Sequence, residues 1–207
     1  MKGAIFDLDG VIVDTAKYHY LAWKELADSL GFVFTEQHNE RLKGVSRIRS
    51  LEILLEIGNL SVDDKEKAKL LTRKNERYVH MLDNIDSSHL LKGAEEYLIY
   101  LKEKGIKISL ASASKNAPLI INKLGITKYF DALIDGNQVV NTKPDPEVFI
   151  KAAEKLGLDA KDCTVFEDSQ AGIDAAKKIG CKTVAIGTPD MLKGADIYVS
   201  CLGNLLP

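Results

Sequence analysis

The sequence predicts an α/β fold, a Rossmann-like parallel sheet core with an inserted α-helical cap domain. Three observations carry this. From about residue 92 onward, short apolar runs alternate with amphipathic stretches of about 10–15 residues, the rhythm of βαβ units feeding a parallel sheet. Glycines close those stretches, where a left-handed residue ends a helix. A further strand-like run stands apart at the N-terminus, followed by a long segment with helical periodicity and no strand pattern.

Taken in order, Gly3-Ala4-Ile5-Phe6-Asp7-Leu8 reads as a buried strand closed by Gly10. Thr15 is placed to cap a first helix whose face carries His19, Trp23, Leu26 and Leu30. A second helix is expected over Glu36–Leu42, a third over Arg47–Ile57, and a long charged fourth from Val62 to near Leu82. Hinges are expected near Asp14–Thr15 and Ser87–Gly93, so residues 1–14 and 87–207 form the core and 15–86 the cap. Beyond them follow a helix with Ala94, Leu98 and Leu101, a strand Ile106–Ala111, and a helix with Ile120, Ile121 and Leu124. A strand Phe130–Ile134 comes next, then a helix striped by Val148, Phe149, Ala152, Ala153 and Leu156. The last elements are strand Cys163–Glu167, helix Ala171–Ile179, and strands Thr183–Ile186 and Ile197–Val199.

Composition narrows the function. Of 207 residues, 45% are apolar and 28% charged, the balance of a globular protein. Lys plus Arg number 28 against 30 for Asp plus Glu, so the basic excess that nucleic acid or an anionic membrane requires is missing. No apolar run approaches the ~20 residues that span a bilayer, and Met1–Phe6 leads into Asp7 and Asp9 without a signal-peptide pattern. Cys163, Cys181 and Cys201 are too few and scattered for a disulfide framework or a zinc cluster. A soluble, cytoplasmic, monomeric protein with no nucleic-acid or membrane partner is expected.

In an open parallel sheet, ligands bind beyond the carboxyl ends of the strands. Four polar clusters fall at or near such ends: Asp7-Leu8-Asp9-Gly10, Ser112-Ala113-Ser114-Lys115-Asn116, Lys143-Pro144 and Glu167-Asp168-Ser169. Strand alternation sets Asp7 and Asp9 on one side, and Gly10 lets the chain turn away. Four carboxylates gathered at one edge would repel one another unless a hard cation such as Mg²⁺ joined them. Each cluster alone has a plainer meaning: Asp-x-Asp a turn, Ser-Ala-Ser or Glu-Asp-Ser a helix cap, Lys-Pro an extended residue before a helix. Their joint occurrence in this order is the signal.

Together these clusters, with Val11 and Asp14, resemble the haloacid dehalogenase superfamily of phosphotransferases, in the subclass with a small helical cap. Several further features resemble the sugar-phosphate mutases of that superfamily. They are Leu42-Lys43-Gly44-Val45-Ser46-Arg47 with Ser50, His19 with Trp23, Arg73-Lys74-Asn75, and the runs Leu110–Asn116 and Glu167–Ile173. The resemblance implies Asp7 as nucleophile, Asp9 as general acid and base, and Ser112 and Lys143 as ligands of the transferring phosphoryl group. It implies one Mg²⁺ held by Asp7, the Asp9 backbone carbonyl, Asp168 and Glu167. It also implies a sugar phosphate held by Gly44, Val45, Ser46, Arg47, Ser114, Lys115 and Asn116. His19 and Lys74 would couple closure of the cap, which excludes water, to the position of Asp9. The implied reaction interconverts β-glucose 1-phosphate and glucose 6-phosphate through an aspartyl-phosphate and β-glucose 1,6-bisphosphate, which also acts as primer.

Two rivals share the core residues: a sugar-phosphate or phosphoglycolate phosphatase, and a non-catalytic phosphosugar-binding regulator. The phosphatase needs no clamp for a second phosphate, and the regulator no nucleophile beside an acid. Residue by residue, His19 also reads as a half-buried helix-face histidine, Lys74 as part of a solvated charged run, and Arg47 as a partner of Glu52. His38, His80 and His89 have no metal-ligand spacing, and the cysteines read as packing residues.

Overall fold

The computed structural model describes residues 1–42 and 45–207, so Gly44 of the expected phosphate-binding loop lies outside the described residues. The chain divides into two compact units, one of residues 1–14 and 85–207, the other of 15–84.

The larger unit is built on a six-stranded sheet. Its strands are β1 (Gly3–Phe6), β2 (Lys107–Ala111), β3 (Ala132–Ile134), β4 (Cys163–Glu167), β5 (Lys182–Ile186) and β6 (Ile197–Val199). The order is β3-β2-β1-β4-β5-β6 and every pairing is parallel. Chain order therefore runs outward in both directions from β1, which makes the β1/β4 boundary a topological switch point. Phe6 stands opposite Leu110 of β2 and Phe166 of β4, so Asp7, Ala111 and Glu167 come level at one edge. The Asp7 N–H extends the ladder by donating to the Phe166 carbonyl at 3.0 Å.

Alternation along β1 sends neighbouring side chains to opposite faces. Ile5 packs with Val165, Ala111 and Phe149, whereas Phe6 stacks on Phe166 at 4.4 Å with Tyr97 edge-on at 6.3 Å. The smaller unit holds α1 (Ala16–Ser29), α2 (Glu36–Asn39), α3 (Arg47–Ile57) and α4 (Asp64–Met81). The larger unit holds α5 (Ala94–Glu103), α6 (Ala117–Lys123), α7 (Glu147–Leu156) and α8 (Gln170–Lys178). The smaller unit has its own core of Trp23, Leu26, Phe34, Leu51, Leu54 and Leu70. Among the described residues, no helix is long and apolar enough to cross a membrane.

Four local differences from the sequence reading have physical causes. The stretch 36–42 is a short α-helix followed by a 3₁₀ turn, Glu40–Leu42, rather than one helix. α4 starts at Asp64 because Asp63 caps it, accepting from the Glu66 N–H at 2.7 Å. A 3₁₀ turn over Thr127–Tyr129 delays β3 to Ala132. Thr15 precedes α1 but does not cap it: its backbone (φ −98°, ψ −3°) is helical rather than extended, so its buried hydroxyl makes no cap bond.

Candidate active site

The strand edge assembles a charged cluster whose members come from far apart in the chain. Lys143 Nζ donates to Asp7 Oδ1 at 2.6 Å and to Glu167 Oε2 at 2.7 Å, and all three groups are buried. It lies 4.9 Å over the Phe149 ring, on the first turns of α7. Glu167 is held from its other side, where Ser169 donates its hydroxyl to Oε1 at 2.7 Å and its N–H at 3.2 Å. The same Ser169 hydroxyl accepts from Gly172 N–H at 3.1 Å and so caps α8. Burial pushes the Asp7 carboxyl up, the Lys143 ammonium pulls it down, and the carboxylates of Glu167, Asp9 and Asp168 push it up again; the net direction is well above the ordinary range. Burial acts against the Lys143 charge, but Asp7 and Glu167 outweigh it and hold the ammonium above its ordinary value.

This donor set suits a hard divalent cation. One carboxylate oxygen each from Asp7, Glu167 and Asp168 can be chosen so that all lie within 4.8 Å of one another. Lys143 pairs with Asp7 and Glu167, and three carboxylates converging at that spacing offer oxygen-only donors, which select Mg²⁺ or Ca²⁺ over softer metals. The backbone is cut away around the cluster. A Cβ on Gly10 (φ +82°) would fall 2.0 Å from Asp168 Oδ2, and one on Gly172 would fall 2.1 Å from the Glu167 carboxyl carbon. The Asp9 side chain is outside this oxygen group; a turn holds its segment, with Gly10 N–H donating to the Val13 carbonyl at 2.9 Å.

At the end of β2, the buried Ser112 donates its N–H to the Ile134 carbonyl at 3.0 Å, and its hydroxyl accepts from Ser114 N–H at 3.0 Å. The Ser114 hydroxyl in turn accepts from Asn116 N–H at 3.2 Å. The serines therefore form two successive side-chain turns and do not cap α6, where Asn116 holds the cap position and its side chain makes no cap bond. Lys115 is exposed at the tip.

In the helical unit, α1 and α4 bring together residues that the sequence separates. Lys74 Nζ lies 2.8 Å from His19 Nδ1 and 4.7 Å from the centroids of both Trp23 and Tyr78. His19 stacks on Tyr78 at 3.9 Å. Nδ1 faces an ammonium, so it accepts and the ring proton sits on Nε2. Burial, then the charges of Lys74 and Arg47, hold the imidazole well below its ordinary pKa, and His19 is neutral. Arg47 opens α3 half-buried and forms no ion pair with a described residue; Arg49, one turn face away, takes Glu52 at 2.9 Å and Glu56 at 3.2 Å. Partial burial lowers the Arg47 guanidinium slightly below its ordinary range. Ser46 caps α3 by accepting from Arg49 N–H at 3.2 Å, and Val45 lies in the bend before it. Tyr78 is not among the residues the sequence singles out, and Ser169 enters there only as part of its cluster and a helix cap, with no role toward Glu167. The i, i+4 spacing of Lys74 and Tyr78 on α4, and the position of Ser169 two residues after Glu167, are the signals that point to them.

With that geometry in view, the likeness to known proteins is direct. The sequence pattern of the haloacid dehalogenase-like hydrolases matches residues 4–186. The chain is 43% identical over 207 residues to a β-phosphoglucomutase of Bacillus subtilis (strain 168), covering 99% of this chain and 92% of that one. It is 34% identical over 189 residues to a phosphorylated carbohydrates phosphatase of Thermotoga maritima, covering 89% of this chain and 84% of that one. The crystal structure of β-phosphoglucomutase from Clostridium difficile matches with a TM-score of 0.96 at 42% identity, over 100% of this chain and 93% of that one.

Proposed function

The chain belongs to the haloacid dehalogenase-like hydrolase family, and from that premise we propose that it is a β-phosphoglucomutase. Its reaction interconverts β-D-glucose 1-phosphate and D-glucose 6-phosphate in the cytoplasm, the enzyme acting as a monomer. In the first half-reaction a carboxylate oxygen of Asp7 bonds to phosphorus while the bond from phosphorus to the sugar oxygen breaks. Asp9 gives its proton to that departing oxygen. In the second, the 6-hydroxyl of a β-glucose 1-phosphate yields its proton to Asp9 and attacks the aspartyl-phosphate, releasing the Asp7 carboxylate and re-forming β-glucose 1,6-bisphosphate. β-Glucose 1,6-bisphosphate is the species exchanged between the halves and the primer that loads Asp7.

Lys143 orients the Asp7 carboxylate through its 2.6 Å contact and opposes the rise that burial imposes on it, and with Ser112 it serves the transferring phosphoryl oxygens. One Mg²⁺ would be held by Asp7, Glu167 and Asp168 with the Asp9 carbonyl, supplying neutralising charge to that phosphoryl group. Ser114, Lys115 and Asn116, with Gly44, Val45, Ser46 and Arg47, are assigned to the sugar and its second phosphate; His19, Trp23 and Lys74 complete the polar lining.

The observation that favours a mutase over a hydrolase is Arg47, a half-buried guanidinium without an ion pair among the described residues, beside the neutral His19 and the buried Lys74. A charge left in that state suits a phosphate, whose oxygens match the paired donors of guanidinium. The test is a coupled assay with Mg²⁺, β-glucose 1-phosphate and a trace of bisphosphate, reading glucose 6-phosphate and free phosphate together. Glucose 6-phosphate far in excess of phosphate, lost in Asp7→Asn, supports the mutase. Stoichiometric phosphate with little glucose 6-phosphate identifies a phosphatase.

A further inference from the structure

The loop that delivers Lys143 rests on the core through Val139 and is otherwise fastened by polar and charged groups. Between β3 and α7 the chain runs over residues 135–146, and its middle is open to solvent: Val140 is 88% exposed and Asn141 is exposed. The arm that must place an ammonium between two carboxylates therefore has Val139 on the core, followed by two residues, Val140 and Asn141, open to solvent. Its polar anchorage comes from Glu147, on the first turn of α7. One oxygen of that carboxylate accepts from Asn141 N–H at 2.7 Å, and Val140 N–H lies 3.1 and 3.2 Å from the two oxygens. Lys151, one turn on, donates to Glu147 at 2.6 Å and to the Gln138 carbonyl at 2.6 Å.

The far side of the arm is held as firmly. Asp145 N–H closes a turn onto the Thr142 carbonyl at 3.0 Å, with Lys143 and Pro144 at its centre. Asp145 Oδ1 accepts from the Glu147 N–H at 3.0 Å. From α8, whose N-terminus follows directly on Glu167 and Asp168, Lys178 donates to the Pro144 carbonyl at 2.7 Å. Every one of these bonds lies outside the charged cluster, and several involve an ionised group, the stronger class of hydrogen bond. The hydrogen bond from Lys151, and then those from the Asn141 and Val140 N–H groups, draw the Glu147 carboxyl down to about 2.

We infer that Glu147 is a positioning residue, which fixes the 138–146 loop so that Lys143 meets Asp7 and Glu167. This rests on the proposed phosphoryl-transfer chemistry, and sharpens it by placing part of the reaction's precision on a surface carboxylate that touches neither substrate nor metal. Gln in its place keeps the shape but offers one acceptor oxygen instead of two and no charge for Lys151. The loop then shifts, and a displacement on the order of 1 Å at a reacting group costs up to about a hundredfold in rate.

The experiment compares wild type with Glu147→Gln, Glu147→Asp, Lys178→Met and, as control, Asp196→Asn. Asp196 is an equally depressed surface carboxylate, at about 2, bonded to Lys177 and Thr183 and remote in role from the Lys143 loop. Each is assayed well below its unfolding midpoint for glucose 6-phosphate formation and for phosphate release from p-nitrophenyl phosphate. The expected result is a kcat about tenfold or more lower in Glu147→Gln with KM within about twofold, partial recovery in Glu147→Asp, and a smaller loss in Lys178→Met. Asp196→Asn keeps the wild-type kcat even where its melting point falls as far. An unchanged kcat in folded Glu147→Gln, or an equal drop in Asp196→Asn, overturns the inference. A wild type that releases phosphate without making glucose 6-phosphate overturns the mutase reading alone, because the positioning effect is then read on phosphate release. A wild type with neither activity overturns both.

Discussion

Lys143 Nζ lies 2.6 Å from Asp7 Oδ1 across 136 residues of sequence, and its second contact is a carboxylate on the adjoining strand. Two buried anions thus share one buried cation. Removing the cation by Lys143→Met leaves both anions without it, a change that costs about 3–5 kcal/mol in buried pairs. Chemical denaturation is expected to show a loss of that order, with phosphoryl transfer reduced to background. Asp7→Asn also abolishes transfer but leaves a neutral group there, so it is expected to lose far less stability. Equal losses for the two would mean that Lys143 is not held by this cluster.

The Lys74–His19 contact sets a titration. His19 is neutral in the folded protein because burial, and then the charges of Lys74 and Arg47, oppose its protonation. In the unfolded chain it protonates near its ordinary value of about 6.5. The folded pKa is the lower one, so this group stabilises the fold above about pH 6.5 and that stabilisation declines as pH falls below it. NMR titration is expected to find His19 unprotonated at pH 6. In Lys74→Met its pKa should move upward by part of the way, burial remaining. A wild-type His19 with an ordinary titration would contradict this geometry.

Arg47→Ala separates two kinds of binding. A charge-assisted contact to phosphate is worth about 1.5–3 kcal/mol, roughly tenfold to a hundredfold in rate or affinity. Mutase kcat/KM is expected to fall by that factor while phosphate release from p-nitrophenyl phosphate, which has no second phosphate, stays near wild type. A parallel fall in both would assign Arg47 to folding or to the transferring group instead.

Gly10 and Gly172 predict cation affinity without contacting a cation. Gly10→Ala strains a left-handed backbone position and drives a methyl into Asp168; Gly172→Ala drives one into Glu167. Calorimetric Mg²⁺ titration is expected to show affinity weakened by about tenfold or more in both variants. Gly31→Ala is also at positive φ (+87°) but has nothing within 4 Å, so it serves as the control that retains affinity.

What the sequence alone determined is what depends on near neighbours. The alternation of apolar runs and glycine-capped helices specified a parallel α/β sheet, because strand and helix periods and left-handed caps are local properties. It also put Asp7 at the carboxyl end of a strand, read through Leu8 where β1 stops at Phe6, and made Glu167-Asp168-Ser169 a strand-to-helix turn, in which Ser169 indeed caps α8. Even locally it misjudged Thr15, since capping depends on a backbone angle that composition does not reveal.

Only the tertiary structure decided which groups meet. That Lys143 reaches Asp7 and Glu167 follows from a strand order that puts β4 beside β1, a pairing with no local signature. That Lys74, in a run that reads as a solvated face, is instead buried between Trp23 and Tyr78 follows from α1 packing on α4. That Arg49 rather than Arg47 pairs with Glu52 is set by side-chain direction on one helix turn, which leaves Arg47 without a carboxylate among the described residues. In each case charge and burial are decided by long-range packing, and electrostatic energies depend on distance in space rather than on distance along the chain.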